Sequence, residues 1–200
     1  MENKWNGKNA LWMLLFLVLY LAGTAITCFM GAIHPIMFVC YQIVAGILLS
    51  GVVIKAFDRM KAPGAAAVFA AGGILLYFLI GDASVWHCVP FLVIGIIAEI
   101  VRAASRYNWT GDVIATVIMT FSTFGTYGQI WLNRDFTYTE AVEEMSLKYA
   151  DVLMSCSPAW AFPVVIILGI AASVLVANVP NSHATTASWM YQPFPSICDS

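Results

Sequence analysis

The sequence predicts an all-α integral membrane protein of about six transmembrane helices, and three observations carry that prediction. The 200 residues are 61% hydrophobic and only 10% charged, whereas a soluble domain carries about 25% charged residues. Mean hydropathy is +0.83, more apolar surface than a soluble core of this size could hide. The apolar residues form continuous runs rather than an alternating pattern, so the backbone groups are satisfied within helices and not in a barrel.

The first run spans 11–30, after Lys4 and Lys8. A signal-peptide core is about 7–15 residues, so this longer run reads as a retained span. The second spans 35–54 and opens at Pro35, a residue suited to the first turn of a helix. It ends in a basic turn closed by Pro63-Gly64. The third spans 65–80 and stops at Gly81-Asp82. The fourth spans 84–101 and ends with Glu99 and Arg102. The fifth spans 113–132.

The longest polar connection follows, 133–157. Thr137 and Glu140 have capping-box spacing, and Val142, Met145, Tyr149 and Val152 fall on one helical face. Glu144 and Lys148 are an i,i+4 pair in the favoured order. A single short amphipathic helix is therefore expected between spans five and six. The sixth span covers 158–177. Residues 1–178 are expected to form one membrane domain, with 179–200 as a polar tail.

Lys and Arg set the orientation. Seven of the nine lie at the N-terminus or in the turns after spans two and four, and only Arg134 and Lys148 lie in the other connections. Both termini are predicted to be cytoplasmic in a multi-pass cell-membrane protein. The segments at His34, at 82–87 and at 134–151 then share the outer face. The Asn108-Trp-Thr110 sequon falls on the cytoplasmic side and reads as coincidental.

Several functions are set aside. A net charge of −2 with no basic run argues against nucleic acid. The five cysteines show no metal or disulfide spacing and read as small apolar residues in or near spans. No nucleotide loop or nucleophile triad is present, so neither catalysis nor a cofactor of its own is expected. Glu143-Glu144 with His34 could be read as an intramembrane protease pair, but those glutamates belong to the loop helix.

Polar residues near a bilayer are costly and mark candidate sites. His34 lies in a charge-free break between two spans; it is read as a substrate contact, or else as a helix-start cap. Asp82, Trp86 and His87 form a second outer turn, read as pocket or as interfacial anchors. Tyr127 and Trp131 are candidate stacking walls. Arg134 could pair with an anionic group through its planar fork, or with neighbouring acids. Glu99, Arg102 and Arg106 share one face at the end of span four, read as a partner-docking contact or as a helix-end ion pair.

Gly31-Ala-Ile-His34-Pro35, Ala98-Glu99 with Arg102, Trp131-Leu-Asn-Arg134-Asp135, and Glu143-Glu144-Met145 followed by Tyr149-Ala-Asp151 occur in order along the chain. With these segments the sequence resembles the Trep_Strep / MptD-type family of S components of energy-coupling factor (ECF) transporters, over residues 10–175. The resemblance implies a six-helix subunit that captures a micronutrient near the outer face, under the loops after spans one, three and five. It also implies a T component and two ATPase subunits as partners, with ATP hydrolysed by those ATPases.

Two features depart from the family pattern. Span one begins with bulky residues, Leu11-Trp-Met-Leu-Leu-Phe16, where an Ala-xxx-Ala-like face is usual; its small residues Ala22, Gly23 and Ala25 come late. No Lys or Arg follows Lys148, so the tail reads as a diverged or frameshifted end. The alternative function is a stand-alone secondary transporter or membrane scaffold with no ATPase partner, which would need Glu99 to face the bundle interior.

Overall fold

The computed structural model describes residues 5–190, with side chains to Val179. Lys4, Cys198 and the 191–200 part of the polar tail lie outside the described residues. The described chain is helical from end to end: α1 (Gly7–Ile33), α2 (Pro35–Val39), α3 (Tyr41–Arg59), α4 (Ala65–Ile80), α5 (Val85–Ala104), α6 (Trp109–Met119), α7 (Phe124–Tyr127), α8 (Gln129–Leu132), α9 (Arg134–Glu144), α10 (Leu147–Cys156) and α11 (Ala161–Met190).

Among the described residues, four segments are long and apolar enough to cross a bilayer: α1, α3, α5 and 161–179 of α11. The shorter α4, of 16 residues, measures about 24 Å against a hydrocarbon core of about 30 Å.

Polar side chains set several helix starts. Asn6, Ser84, Asn108 and Ser146 each accept a backbone N–H in the first turn of α1, α5, α6 and α10, which relieves the orphan donors of a helix N-terminus. Pro35 occupies the first turn of α2, as its position in the sequence predicts.

α3 is the central helix, packed against α1, α6 and α11. Its contact with α11 is close because Gly46 faces the Gly169 backbone and Ser173, while Gly169 faces Gln42. Small residues let helix backbones approach where water supplies no driving force. α4 and α5 pair with each other, and α5 also packs on α6.

Two expectations are corrected. The fifth run is not one helix. α6 stops at Met119, and Phe121, Ser122 and Phe124 bond three residues back, to Ile118, Met119 and Phe121. These are tight turns, followed by the one-turn helices α7 and α8. The buried hydroxyls of Thr120 and Ser122 find partners outside the helix ladder, so local side-chain bonding competes with helix continuation.

The amphipathic loop helix is two helices, divided at Met145-Ser146. Ser146 caps α10 by accepting from Tyr149 N at 3.2 Å, so the predicted Val142-to-Val152 face and the Glu144–Lys148 spacing are interrupted. The Thr137–Glu140 capping box does not form. α9 already begins at Arg134, and Thr137 donates to Asn133 O within it.

Candidate functional site

The bundle has two chemically distinct ends. At one, the connections at 31–40, 80–87 and 120–160 come together. At the other lie Trp5, the 59–64 turn, the 99–112 turn and Asn178, tied by bonds such as Trp5 Nε1 to Pro63 O at 2.8 Å and Trp109 Nε1 to Asn178 Oδ1 at 3.4 Å.

His34 breaks the chain between α1 and α2 in an extended conformation (φ −153°), and its Nδ1 accepts from Ile36 N at 3.2 Å. It is exposed and acts as the α2 cap. α10 lies against α2, and Tyr149 donates to Gly31 O at 2.6 Å. That carbonyl, in the last turn of α1, has no helical donor of its own. Beside it, Tyr138 donates to Asp151 at 3.0 Å, tying α9 to α10; this bond to the carboxylate holds the phenol above its ordinary range. Changing Tyr149 to Phe should cost α10 about 1 kcal/mol of local docking, seen as faster amide exchange across 147–156. Unchanged exchange there would mean that the bond does not hold the helix.

The second connection closes α4 at Gly81, whose φ of +78° suits glycine. His87 Nδ1 lies 3.0 Å from Asp82 O and 3.4 Å from Asp82 Oδ1. Its ring stacks on Tyr77 at 4.5 Å and 10°. Tyr77 reaches inward, with its hydroxyl 3.2 Å from Thr126 Oγ1.

The broken fifth segment completes the interior. Tyr127 is fully buried, donates to Gln42 Oε1, and stacks on Tyr41 at 5.0 Å and 14°. Gln42 Nε2 donates to Thr120 Oγ1 at 3.1 Å, and Thr120 lies 3.3 Å from Ser173 Oγ. Tyr41 meets Cys28 Sγ at 3.1 Å, and Tyr20 meets Ser122 Oγ at 2.5 Å. These groups form a neutral polar seam from the Asp82–His87 rim into the bundle. Desolvated polar groups cost several kcal/mol unless paired, and here nearly every partner comes from another element.

Trp131 and Arg134 serve the third connection. Trp131 Nε1 donates to Pro158 O at 3.2 Å, with its ring 5.3 Å from Phe162. Arg134 donates to Ser157 O at 2.7 Å, Ser157 Oγ at 3.4 Å and Met154 O at 2.6 Å. Its guanidinium thus closes the C-terminus of α10, where orphan carbonyls attract a cation. Trp86 is half exposed at the start of α5. Of the residues predicted from sequence, Asp82 and His87 touch directly. Tyr127 joins them through its neighbour Thr126 and Tyr77, while His34, Trp86, Trp131 and Arg134 stand around the same end.

A family model described as a hypothetical bacterial integral membrane protein, Trep_Strep, matches residues 7–181. The chain belongs to the Trep_Strep family. No curated protein and no solved structure matches it. Membership and the apolar helices together make it a multi-pass membrane protein.

At the opposite end of this Trep_Strep chain, Arg102 is fully buried. Its Nε donates to Asp112 Oδ1 at 2.9 Å, and NH2 donates to Met60 O at 2.5 Å. Glu99 accepts from Gly64 N and Ala66 N, both at 2.9 Å, and so caps the start of α4. Neither side chain projects from the bundle; Arg106 alone of the predicted docking trio is exposed. Sequence reasoning passed over Tyr41, Gln42, Tyr77 and Thr126. The available signal was an amide and hydroxyls inside otherwise apolar runs.

Proposed function

We propose that this Trep_Strep protein is the substrate-binding S component of an ECF-type micronutrient importer, taking its ligand at the loop end. The observation that carries the reading is the meeting of three connections over one neutral polar seam, with α10 laid across the break at His34. The orientation rests on charge. Lys55, Arg59, Lys61, Arg102 and Arg106 gather at the opposite end, which is then cytoplasmic.

The seam narrows the ligand class. Its side chains are uncharged, the one acid at its rim is Asp82, and the contacts of Arg134 are all with the end of α10. A neutral or cationic ligand fits better than an anionic one. Stacked rings at Tyr41–Tyr127 and Tyr77–His87 suit a planar molecule that intercalates or replaces one ring contact. The protein performs no chemistry on that ligand. ATP hydrolysis falls to two partner ATPases, reached through a T component, with exposed Arg106 at the docking end.

The alternative of a stand-alone secondary transporter or scaffold needs an interior carboxylate. Glu99 is committed to the start of α4, and the buried carboxylate of Asp112 to Arg102 and Lys61, which weakens the proton-linked version. Gentle solubilisation from the native membrane, followed by mass spectrometry of co-purifying proteins and extracted small molecules, tests the proposal. A T subunit and two ATPases are expected with the chain. Recovery of the folded chain alone would overturn the S-component reading in favour of the stand-alone one.

A further inference from the structure

Arg59, the last residue of α3, is a half-buried cation without a counter-charge. Its guanidinium sits over the Trp12 ring of α1, 4.5 Å from the centroid, and no carboxylate among the described residues pairs with it. Its Nε is buried and has no hydrogen-bond partner. The two terminal nitrogens, equally without a protein partner, are the part of the fork left open to the outside. Lys61, two residues on, shows the contrast, since it lies 3.5 Å from Asp58 and also meets the carboxylate of Asp112. The acid next to Arg59 in sequence is thus turned to another cation. Arg102 likewise has Asp112 and Glu99. A π face attracts the Arg59 cation but does not neutralise it, and a charge partly withdrawn from water calls for an opposite one.

The surroundings say which anion. α1 and α3 run in opposite directions, meeting at one end through Cys28 and Tyr41 and at the other through Trp12 and Arg59. Lys8 lies one turn before Trp12 on the same face of α1, and Lys55 one turn before Arg59 on the same face of α3; both are exposed. Lys8 therefore stands on the aqueous side of Arg59 and Lys55 on the bilayer side. An exposed lysine on the flank of a span snorkels toward the interface, which carries the Lys55 ammonium toward the level of Arg59. Trp12 and Trp5, whose indole is fixed to Pro63 O, mark that level as the headgroup region. Deeper in, the same face of α1 continues as exposed Leu15 and Leu19. Three cations around one level, with an apolar flank beneath them, match a phosphate that has acyl chains attached. A soluble acidic partner would leave that flank uncovered.

We propose that Arg59, flanked by Lys8 and Lys55, binds the headgroup phosphate of an anionic phospholipid in the adjoining leaflet. The terminal nitrogens donate to two phosphate oxygens, the paired geometry that suits a planar guanidinium, while Trp12 supports the plane of the fork. Lys8 and Lys55 add attraction for a net negative headgroup, which a zwitterionic lipid with its own cation does not answer. The site does not depend on the transport reading of the seam.

The test is native mass spectrometry of the full-length protein, released from detergent micelles that hold equal amounts of phosphatidylglycerol and phosphatidylcholine with identical acyl chains. Phosphatidylglycerol should be retained about tenfold more. Arg59→Gln should cut that preference about fivefold, whereas Lys148→Gln, the same change of charge at the opposite end, should leave it intact. Arg59→Lys keeps the charge but gives up the fork over Trp12, and its preference should fall between the two. An excess of inorganic phosphate should not displace the lipid. Equal retention of the two lipids by the unaltered protein would overturn the proposal, and that comparison stands even if a variant does not fold. Equal losses in Arg59→Gln and Lys148→Gln would overturn it too, because the preference would then follow net charge and not this site. Displacement by phosphate alone would make a soluble anion the occupant and overturn the lipid assignment.

Discussion

Replacing Asp112 with Ala is expected to destabilise the protein by about 3–5 kcal/mol, the cost of stranding a buried charge. Asp112 and Arg102 are both fully buried. Besides its bond to Asp112, the Arg102 guanidinium reaches the carbonyls that end α3 and begin the next turn: Phe57 O at 3.4 Å, Met60 O at 2.5 Å and Ala62 O at 3.5 Å. It also lies over the Phe57 ring at 4.1 Å and the Tyr107 ring at 5.2 Å. Asp112 is the shared counter-charge, since Lys61 Nζ sits 2.5 Å from its other oxygen. The alanine variant leaves two cations facing each other, one of them without access to water. The check is thermal unfolding in detergent followed by tryptophan emission. A second variant separates net charge from packing: Arg102→Met with Asp112→Leu should recover most of the loss, because a buried ion pair replaced by apolar groups of similar volume is often neutral. An unchanged midpoint for Asp112→Ala would mean that this end of the bundle is hydrated.

The same cluster shows where sequence reading stops. Glu99, Arg102 and Arg106 are spaced like one solvated face, and nothing within that window tells that Arg102 turns inward. Its partners come from α3, the following turn and Asp112, which are brought together only by packing α5 against α4 and α6. The apolar runs were legible because they are continuous and end at local breakers, and the third run, bounded by Gly64 and Gly81, has the same bounds as α4. Pro35 was legible because its missing N–H matters only locally. The break after Met119 was hidden because Thr120, Ser122 and Thr123 are each tolerated in a span. What ends the helix is hydroxyl bonding to Tyr20 and Ser173 from distant segments. The capping-box pattern at Thr137 was a true local option that lost to tertiary docking, since Trp131 and Arg134 fasten the segment to 157–158 and start α9 earlier.

The candidate site divides along the same line. Asp82 and His87 are five residues apart across a tight turn, so their proximity follows from local geometry. Tyr77, Thr126, Tyr127, Tyr41 and Gln42 come from three separate stretches of chain. Their seam could be anticipated only as polar residues in need of partners, not as specific pairs.

Changing Gly125 to Ala should have the second large effect, a loss of about 1–3 kcal/mol from overpacking. A Cβ at this position would overlap the Trp86 carbonyl and crowd Pro90. The obstacle is helix backbone, so no rotamer change makes room, and α5 must move away from the broken segment. That movement would loosen the Tyr77–Thr126 contact, because α7 carries both Gly125 and Thr126. Gly72 supplies the control. The three atoms nearest a Cβ there are the terminal methyls and Cγ of Leu17, a side chain that can change rotamer, so Gly72→Ala should stay within about 1 kcal/mol. The comparison is read from unfolding midpoints in one detergent, with amide exchange across 85–93 and 120–132 as the local report. Equal midpoints for the two variants would show that the approach of α5 to Gly125 is not a fixed contact, and that the fifth segment moves freely against it.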